Sequence, residues 1–229
     1  VQVALGYLGG GAAMTVRGCE GTFRSIALRW VAVGVVLASL LLGPTAAVAA
    51  PPQVRKPPPP MTALWWQTFL SLSGNPLDRC DLGSRDVVFL AGTTGGAATR
   101  SCTIPAGTSI LVPLINVECS TAEGNGDTPA ELRACARGFA DQFTDLSLTI
   151  DGVAVADLQR FRVHSPVFQF TAAQGNVFGV PAGRTRSVAD GYWVLIRPLS
   201  PGTHTVSFGG AFPPGGFTTF VTYTLTVTS

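Results

Sequence analysis

The chain is poor in charge. Only 12% of its 229 residues are Asp, Glu, Lys or Arg, about half the usual share. Lys56 is its one lysine, and the net charge of +2 is fully accounted for by Arg17, Arg24, Arg29 and Glu20 near the start. From Ala50 onward acids and bases balance, and the bases are scattered. That pattern excludes a nucleic-acid partner, which needs a basic patch or stripe. Histidine is scarcer still: His164 and His204 are the whole supply, which limits both imidazole catalysis and zinc ligation. The motifs HExxH and GxSxG, the dinucleotide-binding glycine pattern and the EF-hand loop are all missing. The glycine-rich run Gly92–Ala98 lacks the order of a phosphate cradle and opens no helix. No CxxC or Cys/His pair stands at ligand spacing. No cofactor and no metal is expected.

What is present points outside the cytoplasm. Read from Met14, the first 49 residues have the form of a signal peptide. Arg17, Arg24 and Arg29 make a basic start, Trp30–Leu42 an apolar run, and Ala47-Val48-Ala49 a small-residue cleavage site. An uncleaved anchor is the rival, but the run is shorter than the roughly 20 residues that span a bilayer. Cys19 falls in this leader. Cys80, Cys102, Cys119 and Cys135 remain, an even set that predicts two disulfides. Three pairings are open. The sequential one, Cys80–Cys102 with Cys119–Cys135, closes the most modest loops and is favoured. Residues 50–60 include PPQVRKPPPP and read as a proline-rich tether.

Residues 61–229 read as one mainly β domain. A short helix is predicted over Thr62–Ser71, capped by Thr62. A second follows Thr128, where Thr128 and Glu131 form a capping box around Pro129. Strands are predicted at Val87–Leu90, Thr99–Ile104 and Thr108–Asn116, with Pro113 marking a bulge or an edge. Leu146–Ile150 and Val153–Leu158 form a hairpin around Asp151-Gly152. Short strands follow at Phe161–Ser165 and Val167–Phe170. Thr171–Ala189 reads as a long loop. Then come Tyr192–Arg197, a type II turn at Ser200–Thr203, His204–Phe208, and a final strand Thr218–Thr228 in which Val221, Tyr223, Leu225 and Val227 alternate with threonines. Short strands and regular turns predict an antiparallel β-sandwich, jelly-roll or immunoglobulin-like, with one or two short helices.

The runs Asp190–Trp193, Pro198–Val206 and Val221–Tyr223 resemble the C-terminal part of secreted bacterial β-rich proteins. Arg100–Gly107 resembles their middle part. The resemblance implies an exported β protein, names no activity and transfers no catalytic residue.

Candidate chemistry is thin. His204 shares a strand face with Val206 and Phe208, either as a ligand or base, or as a ring satisfied by a backbone carbonyl. His164 precedes Ser165-Pro166 and suits a turn. Glu118 and Asp190 suit glycosidic cleavage only if they share one concave face. Asp78, Asp81 and Asp86 form either a Ca²⁺ loop or a solvated one. Trp65, Trp66, Tyr192, Trp193 and Phe212 are candidates for a sugar-stacking surface, against ordinary packing. The leading expectation is a secreted or cell-envelope protein that binds a glycan or another envelope component without catalysis. A secreted hydrolase using Glu118, Asp190 or His204 is the alternative, and a structural or protein-interaction module the third.

Overall fold

A computed structural model describes residues 53–229. The predicted leader, with its start at Met14 and its cleavage site, lies outside the described residues. Strand β12 (Phe217–Val227) keeps the expected alternation, with Val221, Tyr223, Leu225 and Val227 buried. It pairs antiparallel with β11 (Gly202–Phe212) and parallel with β4 (Gly96–Ile104). Beyond β11 lie β6 (Thr144–Ile150) and the short β7 (Val153–Ala154). Asp151 and Gly152 join them with φ of 51° and 77°, the left-handed pair that a two-residue hairpin turn requires. These strands form the smaller, five-stranded sheet, in the order β4-β12-β11-β6-β7.

The larger, seven-stranded sheet is built on β10 (Gly183–Ile196) and β5 (Ser109–Ser120), paired antiparallel along their length. Outside β5 lie β3 (Val87–Phe89), parallel to it, and β2 (Gly83–Ser84). The other edge of β10 takes β9 (Phe168–Ala172), β8 (Arg162–His164) and β1 (Val54–Arg55) in succession. The two sheets face one another across a shared core. Ile110, Val112, Val194 and Ile196 meet Val206, Phe208, Val221 and Tyr223 there.

Helix α1 (Pro59–Leu70) covers the outer face of the larger sheet. Its Trp65, Trp66 and Phe69 pack with Leu111, Trp193 and Leu195 in a second buried cluster. Helix α2 (Pro129–Ala140) has the predicted capping box, and its Leu132, Ala136 and Ala140 join the inter-sheet core. The sequential disulfides are present, with Cα–Cα distances of 5.6 Å for Cys80–Cys102 and 6.2 Å for Cys119–Cys135. Among the described residues no helix is long and apolar enough to cross a membrane.

Several expectations are corrected. The sheets are mixed rather than antiparallel, since each contains one parallel pair. Pro113 marks a bulge, at the register shift between Tyr192 and Trp193, but β5 is interior rather than an edge. The proline-rich segment is held where it is described: Val54 and Arg55 pair with Ile196 and Leu195, and Pro59 and Pro60 open α1. Proline suits that first turn, where its missing N–H has no partner to lose. The helix therefore starts before Thr62, whose hydroxyl donates to the Pro59 carbonyl at 2.8 Å instead of capping the end. The predicted loop Thr171–Ala189 is strand over its second half. Its buried positions there include Thr185 and Ser187, hydroxyls satisfied by hydrogen bonds, so no apolar periodicity announces the strand. Finally, residues 197–201 do not close a type II turn between paired strands. They carry the chain from the larger sheet to the smaller, and Gly202, at φ 136°, is already paired with Val227.

Candidate functional site

Glu118 and Asp190 sit on adjacent strands but leave opposite faces of the larger sheet. Glu118 is in register with Ala189, part of the outer cluster; Asp190 is in register with Val117, part of the inter-sheet core. No concave surface holds both. Glu118 is buried and accepts a hydrogen bond from Ser187 Oγ. Burial, and then the neighbouring Glu123 carboxylate, push its pKa well above the ordinary range. Glu123 in turn accepts from Ser120 Oγ at 2.7 Å.

Asp190 is clamped. Arg162 donates to it through Nε at 3.0 Å and Nη2 at 2.8 Å, and His164 Nδ1 lies 2.8 Å from Oδ2. A third arm of Arg162 reaches Asp141 at 2.6 Å. The Asp190 carboxylate, at hydrogen-bond distance, raises the guanidinium pKa of Arg162 above its usual value. Asp190 is thus one end of a fixed ion pair rather than a free acid or base.

His204 lies in the smaller sheet, at the hairpin end, away from both acids in the topology. Its Nδ1 is 2.7 Å from Asp151 Oδ2 and its Nε2 is 2.9 Å from the Ser200 carbonyl. Burial lowers its pKa, but the Asp151 and Ser200 hydrogen bonds outweigh this and the net shift is upward. Both ring nitrogens are occupied in binding two loops together.

The aromatic candidates are corrected too. Trp65, Trp66 and Trp193 are each 1% exposed or less, and Tyr192 and Phe212 are buried. Trp65 stacks on Phe69 and meets Trp193 edge-on at 5.5 Å. These rings fill a core and offer no face to a sugar. Asp78 and Asp81 pair with Arg100 and Arg79, at 2.6 Å each.

The structure assembles a different feature around Asp190. Helix α2 packs over β10 and β5, and β8 and β9 continue the sheet beyond β10. Two hollows with no lining residue in common lie along β10, and the line they make is the groove. At one end Arg184 and Arg186 stand with Gln169 and Thr121 around an open, polar hollow of about 330 Å³. Further along β10, Arg133 and Arg137 of α2 meet His164 and Asp190 around a recess of about 40 Å³. Among the described residues, none of Arg133, Arg137, Arg184 and Arg186 has a carboxylate within salt-bridge distance. Sequence reasoning missed all four. Their signals were the i, i+4 spacing of Arg133 and Arg137 on a helix and the i, i+2 spacing of Arg184 and Arg186 on a strand. Neither spacing alone says that helix and strand lie side by side.

The outer face of the smaller sheet offers a second surface. Thr149, Ser207, Thr222 and Thr99 form one cross-strand row; Thr205, Thr224 and Ser101 form the next; Thr203, Thr226 and Thr103 the third. All are exposed or half-buried, and no charged side chain stands in these rows.

No family model and no curated protein matches the chain. Among solved structures, one described as PbICP-C in complex with falcipain-2 is similar at 11% identity, covering 62% of this chain and 98% of that one with a TM-score of 0.26. A likeness that slight carries no argument about fold or function.

Proposed function

We propose that this is an exported, non-enzymatic binding protein of the cell exterior or envelope, folded as a β-sandwich, and that it holds a glycan or other envelope component in the groove between α2 and β8–β9. The observation that carries the reading is the placement of Arg184 and Arg186 at one hollow along β10 and of Arg133 and Arg137 at another, none of them with a carboxylate partner among the described residues. Two disulfides fit a protein that works outside the cytoplasm. The hydrolase reading has less support. General acid–base work needs two groups within hydrogen-bond reach of one substrate, and Glu118, Asp190 and His204 lie on different faces or different sheets. Co-sedimentation of the protein with purified envelope polysaccharides tests the proposal. Retention by the parent and its loss in Arg133→Ser/Arg137→Ser is the expected result. If the parent is retained by no envelope glycan, the reading falls.

A second reading places an uncharged glycan on the Thr/Ser rows of the smaller sheet. It is favoured by the regular hydroxyl rows and by the absence of charge within them. Thr224→Lys separates the two surfaces: it blocks binding only if the rows are the site.

A further inference from the structure

Resting on the reading of the groove as a glycan site, we infer that its ligand is an anionic polysaccharide, one that carries carboxylate, sulfate or phosphate groups at repeated positions along the chain. Positive charge lies at intervals along β10. Arg184, Arg186, Val188 and Asp190 alternate onto the same face of that strand, which spans about 20 Å from the first to the last at the usual strand rise. The cations form two stations along this line. Arg184 and Arg186 make the first, in the wider hollow. Arg133 and Arg137 make the second, beside His164 and Asp190 around the narrow recess.

The acids nearby leave these stations positive. Asp190 and Asp141 share the single positive charge of Arg162, so that with Arg133 and Arg137 the second station keeps a surplus of one positive charge, and Glu131 is committed to the α2 capping box. Asp127 contributes its backbone carbonyl, not its carboxylate, to Arg186. Neutral groups line the first station too: Gln169 Oε1 accepts from Arg184 at 2.9 Å, which leaves its amide N–H groups to donate, and Thr121 Oγ1 is hydrogen-bonded to Thr185 and to the Arg186 backbone. Guanidinium groups bind carboxylate, sulfate and phosphate oxygens through paired N–H donors, and all four positions carry arginine. Two separated stations suit a chain with charge at intervals better than a single small anion.

The test is calorimetric titration of the full chain with polygalacturonate, dextran sulfate and neutral dextran, with sodium sulfate as competitor. Both charged polymers are expected to bind and dextran not. Arg184→Ser/Arg186→Ser and Arg133→Ser/Arg137→Ser are each expected to weaken binding about tenfold or more, the loss of charge-assisted contacts. Arg160→Ser, outside the groove, is expected to bind as the parent does. An unchanged far-ultraviolet spectrum and melt keep a weakened variant interpretable. Parent-like binding by both double variants overturns the inference. So does displacement of the polymers by sulfate at equal charge concentration, which marks a single-anion site. If neutral dextran or a neutral envelope glycan binds and the charged polymers do not, the anionic ligand is wrong while the binding-protein reading survives. If no glycan of any charge binds, both fall.

Discussion

The two sheets share one core and differ in what they turn outward. The larger sheet is covered on its second face as well, by α1 and the Trp65–Trp193 cluster, and its β5 is buried at nearly every position. Among the described residues nothing packs on the second face of the smaller sheet, and β12 alternates buried with exposed or half-buried positions along its whole length. Asp190, Arg162, Arg184 and Arg186 belong to the larger sheet, whereas the rows around Thr222 and Thr224 carry no charge. The lesson concerns selection on each face. A strand packed on both sides needs apolar or satisfied polar groups everywhere. A strand with one wet face needs only residues that solvate well and favour extended backbone, and threonine does both.

If the outer layer of the larger sheet is a second core, Trp193→Ala costs about 3–5 kcal/mol by denaturant unfolding. A loss under about 1 kcal/mol, the scale of surface changes, breaks the contrast between the faces. Next in size are the disulfides. Each is expected to contribute about 2–4 kcal/mol, but to different regions. Removing Cys119–Cys135 as a double alanine variant frees α2 from β5 and abolishes groove binding. Removing Cys80–Cys102 lowers the melt comparably and leaves the groove intact. Loss of binding in both variants, with the fold retained, breaks the division.

A smaller effect concerns Glu118, an ionisable group inside the covered face. Its folded pKa lies above its unfolded value, so the folded state keeps the proton longer. Stability therefore falls as pH rises above the unfolded value of about 4.3, and the penalty is complete once pH passes the folded value. Glu118→Gln mimics the protonated acid. It is expected to raise stability at pH 7 by about 1 kcal/mol or more and to change little near pH 4. Equal melting shifts at both pH values contradict this. The smallest effect is expected on the bare face, where Thr224→Lys shifts stability by no more than about 0.5 kcal/mol. A larger loss means that something covers the rows.

The same contrast governs how much was legible in the sequence. β12, the Asp151-Gly152 hairpin and the α2 capping box were all readable, because each is written in local chemistry: a period of two, a turn pair, a reciprocal cap. β10 was only half readable. Its C-terminal half is apolar, but its N-terminal half alternates arginines with Thr185 and Ser187, whose burial depends on partners such as Thr121, Cys119 and Glu118. The groove was not readable at all, since it joins residues of a helix and a strand separated by the hairpin and two further strands. Asp190 was legible as a residue of interest, but its partner Arg162 was not, because the bond depends on β8 lying beside β10.

β10 also sets an order of events. Four segments met earlier along the chain, β1, β5, β8 and β9, all depend on it for pairing. Until residues 183–196 are available, β5 has only the short β3 beside it, and β1, β8 and β9 have no sheet to join. A chain that emerges N-terminus first thus carries β5, apolar along most of its length, largely unpaired until residues 183–196 follow. The hairpin of β6 and β7 and the capped α2 can form from local contacts, while the larger sheet must close late and nearly all at once. The strand that floors the groove is therefore also the one whose arrival decides when the larger sheet can close.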